Sequence, residues 1–292
     1  MTEQTRRTFL RTAAATTAAL GVVGTGRVAA KTDRGVPLVS TRGDVADDGT
    51  LTDGASTTGY DTDGHVPGVD TDAVDDLFVY VHGWNNAESD ARTKFDTADA
   101  AFSKAGYTGT LVGFTWDSDV GGGVDMGWEE SKDAADLNGP KLAAFCRDYA
   151  DAASSPRIHL VSHSLGARVL FGALRALRSA DWGPDGQQVT SVHLLGAAVD
   201  NETPTAEDTA NYRATRDVPE AAYNYHSEDD DTLRSFYNAY EVDQALGETG
   251  FEDGNTVPDS YDEYDATDEV GSDHSGYTES LADQVVSDAA AQ

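Results

Sequence analysis

The chain has 292 residues, with 52 Asp and Glu against 20 Lys and Arg, a net charge of −32 with histidine neutral. That sign excludes a nucleic-acid partner and disfavours an anionic membrane surface, because a polyanion is repelled. The single cysteine, Cys146, excludes an intramolecular disulfide and any Cys/His metal framework.

Thr5-Arg6-Arg7-Thr8-Phe9-Leu10-Arg11 is a twin-arginine pattern, followed by an Ala/Thr/Leu/Val stretch from Thr12 to Val23 and by Val28-Ala29-Ala30. The apolar part is too short to span a bilayer. This order predicts a twin-arginine export signal over 1–30 and an extracellular or cell-surface location. Removing it takes away Arg6, Arg7, Arg11, Arg27 and Glu3 and leaves 16 basic against 51 acidic residues, a net charge of −35. High charge can signal disorder, but apolar segments recur too regularly here for a chain that stays unfolded. The acidity reads instead as a solvated surface suited to concentrated salt, where self-repulsion is muted. It resembles that of secreted proteins of halophilic archaea.

Residues 31–72 form an acidic Gly/Thr-rich N-terminal segment, expected to be loop apart from an edge strand at Pro37-Leu38-Val39-Ser40. Asp61-Thr62-Asp63-Gly64 matches part of a calcium loop. Gly59 stands where the first carboxylate belongs and no glutamate closes the loop, so no metal is expected there.

From residue 73 to 292 strands and helices alternate. Leu77-Phe78-Val79-Tyr80-Val81 is a continuous apolar run, the mark of a strand buried on both faces. A helix is expected from Glu88 to Ala105, with Phe95, Ala98, Ala101 and Phe102 on one face, then a strand over Thr110–Trp116. A helix from Trp128 to Tyr149 follows, bent or split at Gly139-Pro140. Ile158-His159-Leu160-Val161 is the next strand, and a helix runs through Val169, Leu170, Ala173, Leu174 and Leu177. Strands over Val189–Ala197 and Ala221–His226 lead to an acidic stretch at 247–272 and a closing helix through Leu281, Val285 and Val286. The alternation predicts an α/β fold, a mostly parallel central sheet with helices on both faces. Cys146 falls on the apolar face of its helix and reads as a buried structural thiol.

Between the strand Ile158–Val161 and its helix lies Ser162-His163-Ser164-Leu165-Gly166. A serine at the tip of a tight turn from strand to helix is the setting of a nucleophile elbow, in which the next residue's N–H faces the reaction centre. The first small residue is Ser162 rather than glycine. Ser164 is therefore the candidate nucleophile and Leu165 N–H one oxyanion donor. The base must be neutral yet protonatable near pH 7, hence a histidine. His65 lies in the N-terminal segment, His82 in a His-Gly turn, and His159 and His193 inside strands. His163 points away by strand alternation, and His226 ends a strand. His274, in a late loop, remains. The acid is Asp200 or one of Asp229, Asp230 and Asp231, each following a strand. The second oxyanion donor is expected in His82-Gly83-Trp84, with Trp84 N–H as the group and Gly83 keeping the turn open.

Val79-Tyr80-Val81-His82-Gly83-Trp84-Asn85-Asn86, Ser162-His163-Ser164-Leu165-Gly166-Ala167-Arg168 and His274 together resemble the α/β-hydrolase superfamily, and within it an esterase-like branch with an H-G-[FW]-N-N turn. Phe114-Thr115-Trp116 and Asn138-Gly139-Pro140-Lys141-Leu142-Ala143 are similar to that branch as well. The resemblance implies an α/β-hydrolase domain over 73–292 and a Ser…Asp…His order. A Ser-x-x-Asp-x-x-Leu turn matches Ser227, Asp230 and Leu233, which favours Asp230 as the acid with Asp200 second. It further implies a cofactor-free, monomeric serine hydrolase acting on a small-molecule ester, with Trp84, Trp116, Trp128 and the Gly121-Gly122-Gly123 loop lining an apolar acyl pocket. The competing reading is a non-catalytic protein of the same fold that binds a ligand or partner at the cell surface.

The charge reading makes a first prediction. Screening extends about 3 Å in 1 M salt and about 10 Å in 0.1 M, so the acid-rich chain should melt at a lower temperature as salt is diluted over that range. Equal melting temperatures in calorimetry at the two salt concentrations would refute a surface suited to salt.

Overall fold

The apolar runs become strands buried on both faces because each presents hydrophobic side chains to either side in turn. Leu77, Val79 and Val81 enter one core, while Phe78 and Tyr80 enter the other. The structure, a computed structural model, describes residues 35–122, 126–180 and 189–292; the export signal expected over 1–30 lies outside them. Arg34–Gln292 forms one compact unit.

Eight strands make one sheet: β1 (Leu38–Ser40), β2 (Asp61–Asp63), β3 (Asp76–Val81), β4 (Thr110–Thr115), β5 (Arg157–His163), β6 (Val189–Leu195), β7 (Pro219–His226) and β8 (Tyr261–Asp265). Their order is β2-β1-β4-β3-β5-β6-β7-β8. Only β1 and β2 pair antiparallel; every other neighbour is parallel. The expected α/β architecture is what forms. Parallel neighbours require crossovers, which are supplied by α1 (Glu88–Lys104), α2 (Trp128–Ala152), α3 (Gly166–Ser179) and α4 (Thr209–Asp217). Helices α2, α3 and α4 cover one face; α1 and the closing helix Ala282–Ala290 cover the other. Helix α1 stops where Gly106 takes φ +100° and Tyr107 N–H reaches back to the carbonyl of Phe102, a C-terminal cap only glycine accepts readily.

The chain leaves β3 for β4 on one side and reaches β5 on the other. That reversal opens a crevice at the carboxyl ends of β3 and β5.

Several expectations are corrected. Residues 36–72 are mostly loop, as expected, but not only loop. They add β1 and an outer strand β2, so β1 is not the edge, and Val39, Val45 and Val66 join the core. What draws this segment in is Lys141, whose fully buried ammonium donates to Asp44 Oδ2 at 2.6 Å and to the carbonyls of Ser56 and Gly59 at 2.5 and 3.3 Å. Three donors meet three acceptors. Asp61-Thr62-Asp63 is strand β2, and Asp63 pairs with Arg92 at 2.6 Å.

Helix α2 runs unbroken through Pro140. The proline withdraws one helical hydrogen bond, and close packing offsets the loss: a Cβ on Gly139 would lie 2.5 Å from the backbone of Gly172 in α3. Strand β8 was hidden because three of its five residues are acidic. As an edge strand it turns Asp262, Glu263 and Asp265 to water and buries Tyr261. Cys146 is fully buried, as expected, and burial pushes its thiol up to about 12.

On the α1 side, a chain of buried polar groups crosses the sheet. His159 Nδ1 meets Ser191 Oγ at 2.6 Å, Ser191 Oγ meets His193 Nε2 at 2.7 Å, His193 Nδ1 meets Tyr225 Oη at 2.9 Å, and Tyr225 donates to Asp288 at 2.8 Å. Burial lowers His159 to about 4, against a partly restoring Asp76, and lowers His193 to about 3. Both rings take up a proton more readily in the unfolded chain. Their contribution to stability is thus complete above about pH 6.5 and is lost as pH falls toward the folded values. At pH 5 each should cost about 2 kcal/mol. Melting in molar salt should fall between pH 7.5 and 5, and the double variant His159→Gln/His193→Gln should flatten that slope. A wild-type curve that is already flat would contradict this.

Candidate active site

Strand β5 ends at His163, and the backbone turns at Ser164 with φ 55°, a left-handed conformation that costs a non-glycine residue about 1–3 kcal/mol and persists only when its surroundings fix it. Ser164 N–H donates to the carbonyl of Leu195 at 3.0 Å, and Ser164 C=O accepts from Ala167 and Ala198 at 3.0 and 3.2 Å. The turn also fits against the end of β3 only because both sides are small. A Cβ on Gly166 would come within 2.6 Å of the carbonyl of Val81, and one on Gly83 within 2.9 Å of Ser164 Cβ. Ser162, in place of the first elbow glycine, is fully buried and its hydroxyl has no partner among the described residues.

His274 comes to this turn from 110 residues away, with Nε2 2.9 Å from Ser164 Oγ. Its Nδ1 lies 2.6 Å from Asp230 Oδ2. An ionised carboxylate only accepts, so Nδ1 carries the ring proton and Nε2 offers its lone pair to the serine hydroxyl. Asp230 is fully buried, and its other oxygen accepts the N–H groups of Thr232 and Leu233, each at 3.0 Å. Its own N–H donates to the carbonyl of Ser227 at 3.1 Å. The Ser-x-x-Asp-x-x-Leu spacing is therefore a turn in which each named residue has a job. Within the acidic run Glu228–Asp231 only Asp230 is buried. The runner-up, Asp200, is exposed and accepts from Tyr237 Oη at 2.7 Å, away from His274.

After β3, His82 fixes the next turn. Its Nε2 accepts from Trp116 N–H at 3.2 Å, so its proton sits on Nδ1, which donates to the carbonyl of Gly83 at 2.9 Å. Burial keeps His82 neutral, lowering it to about 3. Asn86 Nδ2 donates to the same carbonyl at 3.0 Å. In a planar trans peptide the Trp84 N–H points opposite to that carbonyl, away from both donors. Leu165 N–H stands at the positive end of α3. Neither N–H donates to an acceptor among the described residues.

The Trp84 indole packs face to face on Phe236 at 4.9 Å and edge-on to Trp128 at 5.3 Å. Two of the three tryptophans expected around an acyl pocket are thus together. Trp116 is not with them: it lies fully buried on His82, 5.7 Å away and nearly parallel, and donates to the His82 carbonyl at 3.0 Å. Gly123, part of the expected glycine loop, lies outside the described residues.

His163 is the residue that sequence reasoning set aside. Strand alternation does turn it from Ser164, but toward His274, whose backbone carbonyl it meets through Nε2 at 2.7 Å. No sequence pattern signals that contact. Phe236 follows Asp230 by six residues, and its stacking on Trp84 depends on the tertiary fold.

Among the described residues one acidic grouping, Glu202, Glu207 and Glu252, brings carboxylate oxygens within 4.8 Å of one another. It is partly or fully exposed, as crowding in so acidic a chain produces, and carries no assignment.

Residues 65–240 match a family model described as alpha/beta hydrolase of unknown function (DUF900). The chain belongs to that family. It is also similar to solved acetyl xylan esterases. The catalytic core domain of the Trichoderma reesei enzyme is 14% identical with a TM-score of 0.43, covering 74% of this chain and 98% of that one. A second acetyl xylan esterase structure is 13% identical with a TM-score of 0.41, covering 72% and 95%. These likenesses are of fold. A comparison with curated proteins finds no match. Among the described residues no helix is long and apolar enough to cross a membrane.

The close approach of Gly83 to Ser164 yields a direct prediction for this α/β hydrolase. Gly83→Ala must push the 82–86 turn outward and withdraw the Trp84 N–H, lowering kcat for an activated ester by about 100-fold or more with the fold retained by circular dichroism. Unchanged kcat would show that the turn has no role in the reaction.

Proposed function

We propose that this α/β hydrolase is an exported serine hydrolase that cleaves carboxylic esters through an acyl-enzyme on Ser164, with no cofactor. The observation that carries the reading is the unbroken line from buried Asp230 through His274 to Ser164, with contacts of 2.6 and 2.9 Å, ending on a serine held at φ 55°. Ser164 Oγ attacks the ester carbonyl carbon while its proton passes to His274 Nε2. The negative charge on the carbonyl oxygen is met by the N–H groups of Trp84 and Leu165. The imidazolium is stabilised by Asp230 and gives its proton to the alkoxy oxygen as the C–O bond breaks and the alcohol leaves. Water, deprotonated by the same imidazole, then releases the acid and restores Ser164.

Export rests on the twin-arginine pattern of residues 5–11, and work in concentrated salt rests on the net charge. The Trp84–Trp128–Phe236 cluster beside the oxyanion donor favours a carboxylic ester with an apolar acyl part over a peptide.

Hydrolysis of p-nitrophenyl esters of graded acyl length in molar salt tests the proposal. Ser164→Ala, His274→Ala and Asp230→Asn should each lower kcat by about 10⁴-fold, while Asp200→Asn should stay within about threefold of wild type, as a carboxylate outside the line. Wild-type rates in Ser164→Ala would overturn the mechanism. A folded wild type inert toward the whole series would favour the non-catalytic ligand-binding alternative.

A further inference from the structure

We infer that His163 is a positioning residue that fixes the base to the nucleophile's own backbone, an inference that rests on the Ser164–His274 reading above. His274 stands in a loop, not in a helix or strand. Around it, His274 N–H meets the carbonyl of Ser272 at 3.2 Å, Gly276 N–H that of Asp273 at 2.8 Å, and Ser275 N–H the Asp273 side chain at 3.1 Å. Those bonds shape the loop internally. They do not set where the loop sits over the sheet. Ser227 Oγ anchors its start, donating to the carbonyl of Gly271 at 2.7 Å. At His274 itself, one side chain among the described residues, His163, holds the backbone from outside.

The state of His163 follows from what it touches. A carbonyl oxygen only accepts, so His163 carries its proton on Nε2. The ring is nine-tenths or more buried, and burial keeps it neutral, well below the usual histidine range; the proximity of His274 and Lys94 lowers it further. Its Nδ1 faces Gly83, where an added Cβ would lie 3.3 Å away. The ring is thus packed between the turn that carries the Trp84 N–H and the loop that carries the base, with its centroid 4.8 Å from that of His274. Tyr277 completes the enclosure, 6.4 Å from His163 and 6.2 Å from His274, with its hydroxyl on the carbonyl of Gly247 at 3.1 Å.

The mechanical consequence comes from adjacency. His163 and Ser164 are consecutive, so the residue that holds the base's carbonyl is one peptide bond from the residue that needs the base. Displacement of the 271–276 loop relative to the sheet is opposed at the elbow itself. Asp230 fixes the ring of His274 from the turn after β7, and His163 fixes its backbone from the end of β5. A base held only by its ring could swing about the Asp230 contact and change its distance to Ser164 Oγ; held at two points, it cannot. Such a residue should alter turnover, not substrate affinity, because it touches no substrate. It should also be replaceable by any neutral donor that reaches as far.

Three variants test this in molar salt with p-nitrophenyl acetate. His163→Leu keeps bulk and removes the donor; it should lower kcat by about 10- to 100-fold with KM within about twofold, the scale of losses from ångström-level misplacement. His163→Gln places an amide N–H near the position of Nε2 and should recover kcat to within about threefold of wild type. His163→Asn is polar but one methylene shorter; it should behave like His163→Leu and supplies the same contrast if the leucine variant does not fold. Equal kcat in Gln and Asn, whether both high or both low, would overturn the inference, since bulk and polarity alone would then account for the site. The control separates the two levels of the argument. If wild type turns over no ester of the graded acyl series, the Ser164–His274 reading fails first. If wild type is active and Gln and Asn do not differ, that reading stands and the positioning role falls.

Discussion

A serine held at φ 55° between a strand and a helix is a conformation the chain does not adopt unaided, and much of the architecture is arranged to impose it. Strand β5 feeds the turn from below, α3 leaves it above, and backbone bonds from Leu195, Ala167 and Ala198 grip both polar groups of Ser164. Gly83 and Gly166 let the turn close against the end of β3. The same turn leaves the Ser164 hydroxyl 2.9 Å from His274 Nε2. The left-handed backbone at Ser164 and the contact of its hydroxyl with His274 both belong to this one tightly packed turn.

The polar groups that serve this turn are kept in fixed protonation states by burial and hydrogen bonding. His82 and His163 are both buried, both held neutral, and both anchored to a backbone carbonyl: the first to Gly83, the second to His274. Each uses the imidazole as a rigid neutral donor of defined tautomer rather than as a titrating group. Asp230 is taken out of solvent while Glu228, Asp229 and Asp231 around it face water.

What the sequence made legible was whatever local pattern determines. The doubly buried strands β3 and β5 showed as apolar runs, the turn at Ser164 as small residues between a strand and a helix, and Asp230 as the middle of a Ser-x-x-Asp-x-x-Leu turn. What stayed hidden was decided by contacts far apart in the chain. The outer strand β2 and the core positions of Val45 and Val66 did not show because the segment that carries them is held by Lys141, about a hundred residues from Asp44. Strand β8 read as an acidic stretch because an edge strand buries little. Pro140 suggested a break in α2 because the Gly139–Gly172 contact that holds the helix together is not visible from one helix alone. His163 was set aside on a correct reading of strand alternation, since nothing in the sequence says that the loop of His274 returns to that face.

We propose that the Ser164 hydroxyl is activated by its surroundings. The most direct measurement is covalent trapping: incubation with a fluorophosphonate in molar salt, followed by mass spectrometry of the digested protein. The account predicts a single phosphonyl adduct on Ser164 and none on Ser162, although Ser162 lies two residues away and has a buried hydroxyl without a partner. A folded protein that remains unmodified, or one modified at serines in general with no preference for Ser164, would contradict it.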